Sequence, residues 1–202
     1  MEIDTTPGRQ LELADTLEFI NTLEHSRDGD TDHLPSVEVA IEWLAERGAL
    51  VQPVATAGPA DLEQIRIART ALREVADAVV LERPADETAM AEVNRLLATR
   101  DVPELRAAPD GVTVASRHGP DPIADALAHL AEPLAATIAE GDVERLRICA
   151  NDDCRWVFYD SSRTARRRWC DMTTCGNRAK AARHRARHRR AASQDEVMPQ
   201  RS

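Results

Sequence analysis

Apolar positions recur every three to four residues through most of the chain, and the runs break at proline, glycine and aspartate. Residues 10–24 place Leu13, Ala14, Leu17 and Ile20 at helical spacing. The polar stretch from His25 to His33, with Gly29 and three aspartates, reads as a loop. Pro35-Ser36 opens a second helix whose apolar face is Val37, Ala40, Ile41 and Leu44, and Gly48 supplies its stop. Two prolines and a glycine make Val51 to Pro59 a connector. Asp61, with Gln64 three residues on, reads as the N-cap of the most regular helix, whose face carries Leu62, Ile65, Ala68, Leu72, Val75, Ala76 and Val79. Arg83-Pro84 ends it, and Asp86 caps another helix bearing Met90, Val93, Leu96 and Leu97.

The period changes between Pro103 and Gly119. Pro109-Asp110-Gly111 is a turn signal and Val112-Thr113-Val114 is β-rich, which predicts a short hairpin. Asp121-Pro122 then starts a long helix with Ile123, Ala126, Leu127, Leu130, Leu134 and Ile138 inward, kinked at Pro133 and closed by Gly141. The pattern predicts an α+β fold: a mostly helical body over 1–145 with one hairpin, a small unit over 146–192, and a disordered tail over 193–202. Trp43, on the second helix, reads as core.

Composition adds a division that the pattern alone does not show. The net charge is −9, yet residues 145–190 hold 14 Lys and Arg against 4 Asp and Glu, while the remainder holds 12 against 31. An acidic body carrying a basic end suits a polyanionic partner. No stretch approaches the roughly 20 apolar residues of a membrane span, and the N-terminus lacks the apolar core of a secretory signal. The expected location is the cytoplasm, where thiols stay reduced.

All four cysteines fall within the last 54 residues, as Cys149-x4-Cys154, fifteen residues, and Cys170-x4-Cys175. Two short-spaced thiol pairs supply the four soft ligands of a tetrahedral Zn²⁺. Four cysteines packed as small hydrophobes is the bland alternative, but this segment is too polar and short to build a core without a staple. A redox pair favours Cys-x-x-Cys, and an iron–sulfur cluster stays open on ligand identity alone.

The residues around the cysteines carry a resemblance. The run Arg-Arg-Trp-Cys-Asp-Met-Thr-Thr-Cys-Gly-Asn-Arg-Ala-Lys, Arg167 to Lys180, closely resembles the CGNR zinc-finger family, and the similarity extends from Leu146 to His188. Asp15 to Leu23, Asp-Thr-Leu-Glu-Phe-Ile-Asn-Thr-Leu, resembles the start of the ABATE domain that accompanies this finger. The resemblance implies a treble-clef-like finger with Cys149, Cys154, Cys170 and Cys175 on one structural zinc ion. It also implies a small core of Trp156, Phe158 and Trp169 beneath the metal, a close approach at Gly176, and a role in stress-related regulation of transcription.

Beyond Asn177 the sequence is rich in alanine and arginine, both strong helix formers, and its cations scatter around the axis with no apolar stripe. Such a helix is either solvated or laid against phosphates. The candidate nucleic-acid contacts are Arg166, Arg167, Arg168, Asn177, Arg178, Lys180, Arg183, Arg185, Arg187, Arg189 and Arg190, with DNA as the expected partner. The rival is an RNA-binding or protein-interaction module in which zinc is purely structural, its nearby arginines merely balancing thiolate charge. His184 and His188, at i and i+4, read as exposed or phosphate-facing, because four cysteines already fill a tetrahedron. The Asp28-Gly-Asp30-Thr-Asp32 segment lacks the later ligands of a calcium loop. No hydrolase elbow, phosphate loop or zinc-protease motif is present, so nothing argues for catalysis. Self-association is expected, if anywhere, through the helical body.

Overall fold

The computed structural model describes residues 10–26, 29–99, 102–117 and 119–195, with side chains at 102, 103, 115–117 and 189–195 outside that description. Its elements in chain order are α1 (Leu13–Ile20), β1 (Leu23–Glu24), β2 (Thr31–Asp32), α2 (Val37–Glu46), α3 (Pro59–Val80) and α4 (Glu87–Ala98). They continue with β3 (Val102–Ala108), β4 (Gly111–Arg117), α5 (Pro122–Glu140), β5 (Leu146–Ile148), β6 (Val157–Tyr159) and α6 (Asn177–Asp195). The strands pair as three separate antiparallel hairpins, β1–β2, β3–β4 and β5–β6. The fold is α+β and mostly helical. Residues 193–195 of the expected tail continue α6, and 196–202 lie outside the described residues.

The core sits among α1, α3, α4 and α5. Phe19, Ile20, Leu44, Ile65, Leu72, Leu96, Ile123, Leu127, Leu130 and Leu134 are almost wholly buried in it. Trp43 lines the same core, its ring centroid 5.6 Å from that of Phe19. Three helices, α2, α4 and α5, begin where a short polar side chain answers free N–H groups. Ser36, Asp86 and Asp121 accept from Val39, Ala89 and both Ile123 and Ala124. α3 starts two residues before the expected Asp61. Pro59 takes the first helical position and the Asp61 carboxylate reaches back to the Gly58 N–H at 2.7 Å.

α1 is shorter than its apolar spacing suggested, ending at Ile20 before the chain turns into β1. α5 runs on through Pro133, and Thr137 donates to the Pro133 carbonyl at 2.8 Å. Ile138, expected inward, is 38% exposed near the helix end. The β3–β4 hairpin forms as predicted, Pro109-Asp110 joining Ala108 to Gly111 in register. Its apolar positions Leu105, Val112 and Val114 share one face and stay exposed.

A buried ion pair ties the β1–β2 hairpin to α3. Arg69, 3% exposed, forks onto both oxygens of Asp32 at 2.6 and 3.0 Å and also donates to Thr22. Arg66 adds a second cation to Asp32 at 3.2 Å.

The hydrophobic core crosses the expected boundary at 145. Strand alternation divides the β5–β6 hairpin between two clusters. Leu146, Ile148, Val157 and Tyr159 face the body, whereas Phe158 packs with Cys149, Cys154, Cys175 and Trp169. On the body side, the Asn21 carboxamide pairs with the backbone of Val157, donating to its carbonyl at 2.8 Å and accepting from its N–H at 3.0 Å.

Candidate metal centre and basic helix

The two cysteine pairs converge. Cys149 follows β5 and pairs with β6 through its N–H to the Trp156 carbonyl, and Cys154 closes the intervening turn on Asn151. Backbone amides two residues on, at Asn151 and Trp156, hydrogen-bond the Cys149 and Cys154 sulfurs. In the second pair, Cys170 precedes a wide turn, Met172–Gly176, and Cys175 lies within it, just before the turn leads into α6. Asp171 caps that turn, its carboxylate accepting from the Thr174 N–H and from the hydroxyls of Thr173 and Thr174. The two halves are joined by the Ala150 N–H bonding to the Arg168 carbonyl at 2.8 Å.

The four sulfurs lie within 4.8 Å of one another, and Cys154–Cys170 and Cys170–Cys175 are 3.6 and 3.8 Å apart. A tetrahedron with Zn–S bonds near 2.3 Å has edges of about 3.8 Å, so the set fits one zinc ion. As bare thiols the groups oppose each other. The hydrogen bond between Cys154 and Cys170 brings the Cys154 thiol down to about 6 and, with burial, pushes Cys170 up, while burial pushes Cys149 up. A divalent cation removes that conflict by stabilising all four as thiolates. With four protein ligands and no open position, the zinc is structural: it supplies cross-linking rather than reaction chemistry.

A family model described as "CGNR zinc finger" matches residues 145–188. Another, the ABATE family, described as "Putative stress-induced transcription regulator", matches residues 16–141. The chain belongs to the ABATE family. No curated protein sequence matches it. Among the described residues, no helix of this ABATE protein is long and apolar enough to cross a membrane.

Its CGNR tetrad has a local physical reason at each of three positions. Cys175 is a ligand. Gly176 lies against Met172, whose sulfur would be 2.9 Å from a Cβ built there. The Asn177 amide donates to the Thr173 carbonyl at 2.8 Å, so this side chain, expected at a nucleic acid, holds the turn that carries Cys175. Arg178 is exposed.

The core beneath the metal departs from expectation at one residue. Phe158 is buried and Trp169 half-buried beside the cysteines, but Trp156 is 37% exposed and joins neither cluster. Alternation would place Trp156 on the Phe158 face, but β6 begins only at Val157, and the left-handed φ of 54° at Arg155 takes Trp156 out of that alternation. Arg167 also has structural work. Its guanidinium donates to the Cys170 carbonyl and lies 5.3 Å from the Phe158 ring centroid, while its N–H bonds Asp160.

Asp160 and Asn151 escaped the sequence reading. The wholly buried Asp160 carboxylate accepts from the Ser162 and Arg167 N–H groups and so folds the loop between the two pairs. The Asn151 amide approaches the Cys175 sulfur at 3.5 Å. Only the metal spacing could have flagged Asn151, and a lone aspartate in a basic loop flags nothing.

The remaining candidates form one exposed basic surface. Arg166, Arg168, Arg178, Lys180, Arg183, Arg185 and Arg187 are all exposed. Arg168 and Arg183 both lie over Trp169, 5.2 and 5.9 Å from its ring centroid, which links the loop to α6. His184 and His188 are exposed and face each other at 3.1 Å. The side chains of Arg189 and Arg190 lie outside the described residues.

Proposed function

We propose that this ABATE protein regulates transcription by contacting DNA through its zinc finger, with α6 and the Arg166–Arg168 loop laid along the phosphate backbone. The observation that carries this reading is the surface of α6, a helix of 19 residues about 28 Å long: Arg178, Lys180, Arg183, Arg185 and Arg187 are exposed on it, and its described side chains form no apolar stripe that could seat it in a core. Zinc supports the reading by fixing the first turn of α6, so that its cations are presented from a rigid base instead of a loose tail. The acidic body keeps the rest of the molecule away from phosphates and leaves the basic face as the docking side.

Each phosphate neutralised releases condensed counterions, which makes affinity fall with salt. Replacing Arg183, Arg185 and Arg187 by alanine removes up to three such contacts. DNA affinity should fall, and the slope of log affinity against log salt should shrink by about 2 to 3. The zinc content should not change. An unchanged slope argues against phosphate contact by α6, and preferential binding of total RNA over genomic DNA at equal salt would redirect the reading to RNA.

A further inference from the structure

A cleft of about 370 Å³ opens where α3 meets the first cysteine knuckle. The body contributes His25, Ser26, Arg73 and Asp77 to its lining, and the finger contributes Asp152 and Arg155. Arg73 spans the junction. Its Nε donates to Asp77 at 2.9 Å and its Nη2 to the Arg155 carbonyl at 2.7 Å. The side chain is 12% exposed, and its remaining nitrogen, Nη1, is buried without a partner among the described residues. Leaving a guanidinium nitrogen buried and unpaired is costly, and an oxygen acceptor that reaches it as the cleft wall gives way removes that cost. Arg155 also lines the cleft and is exposed, which adds a second guanidinium to it.

The rest of the lining limits what can enter. Asp77 is already committed to Arg73, His25 faces Asp30 at 3.0 Å, and Asp152 adds a further acidic group. These carboxylates repel a polyanion, unlike the uniformly basic surface of α6. The size falls within the range of small-molecule sites, roughly 300–1,000 Å³. We propose that this cleft binds a small ligand through one anionic group, a carboxylate or a phosphate, held between Arg73 and Arg155. Because those two residues belong to the body and the finger, the ligand would tie α3 to the knuckle that holds Cys149 and Cys154. The site goes beyond DNA contact and does not depend on it.

The test uses the full-length, zinc-loaded protein and two probes, inorganic phosphate and acetate, titrated separately while the Arg73 Nε–H resonance is followed by NMR. The expected result is a saturable, one-site shift of that resonance with at least one probe, and the responding probe identifies the ligand's anionic group. Arg155→Glu, on an exposed side chain, should weaken that binding at least about tenfold, the loss expected for a charge-assisted hydrogen bond. Arg73→Gln should abolish it. Zinc content and the far-ultraviolet spectrum of each variant report folding, and if Arg73→Gln does not fold, Arg155→Glu decides. No saturable shift with either anion would overturn the proposal. So would binding that survives Arg155→Glu, which would show that the anion is not held between the two guanidinium groups.

Discussion

Asn21 shows how a single side chain can join two parts of a chain. It is 5% exposed and supplies both a donor and an acceptor to the backbone of Val157, 136 residues away. Alanine there leaves a buried N–H and a buried carbonyl unpaired, which should cost about 3 kcal/mol, read as the shift in a urea unfolding midpoint. Asp32 makes a comparable link within the body. Burial works to raise its carboxyl pKa, but hydrogen bonds from Arg69 and the Leu34 N–H, with the charges of Arg69 and Arg66, hold it below the ordinary value. A depressed carboxyl stabilises the fold above its unfolded pKa of about 3.9 and loses that contribution as pH falls through the folded value. Asp32→Asn should therefore lower stability at neutral pH and flatten the acid limb of the stability–pH curve. Neither role was legible beforehand. The sequence shows Asn21 and Asp32 as polar residues near turns, and their partners are fixed only when α1, α3 and β6 come together.

At the scale of elements, the local rules held where they are strongest. Ser36, Asp86 and Asp121 start helices as their positions predict, and Pro109-Asp110-Gly111 turns a hairpin. Asp121 accepts from two N–H groups at once, so Asp121→Ala should cost about 1 kcal/mol by thermal unfolding, with α5 otherwise retained. The misses are at ends. α3 begins at Pro59 because Asp61 acts from the third helical position, its carboxylate reaching back to the N–H of Gly58 before the helix instead of capping from ahead of it. α1 stops at Ile20, although the apolar spacing invited a longer helix, because the Asn21 to Leu23 segment is taken up by the β1 pairing and by Val157.

At the scale of the whole molecule, the finger is fused to the body through the β5–β6 hairpin. Successive residues face opposite cores, so the strand that feeds the metal site also fills the body. Zinc binding should therefore stabilise more than the finger. Stripping the metal with a chelator should release α6 and the second knuckle, and should also lower the unfolding midpoint of the body. Amide exchange is expected to speed up at Leu146 and Val157 as well as around the cysteines. If exchange in α1 and α3 is unaltered while α6 melts, the two cores are energetically independent and the shared hairpin carries no coupling.

What the sequence determined by itself is what depends on neighbours along the chain: helical periodicity, caps, a tight turn, the spacing of four thiols, and the segregation of charge into an acidic body and a basic end. These are short-range properties, and they sufficed for the fold class and for the four thiols that the structure brings together. The tertiary structure decided what depends on residues far apart meeting. It turned Trp156 outward, drew Arg167 and Asn177 into holding the metal turn, buried Asp160 to shape the basic loop, and set Arg73 against the finger. Hydrogen bonds and burial between distant segments leave no periodic trace, because either partner alone is an ordinary polar residue until packing brings the other within 3 Å.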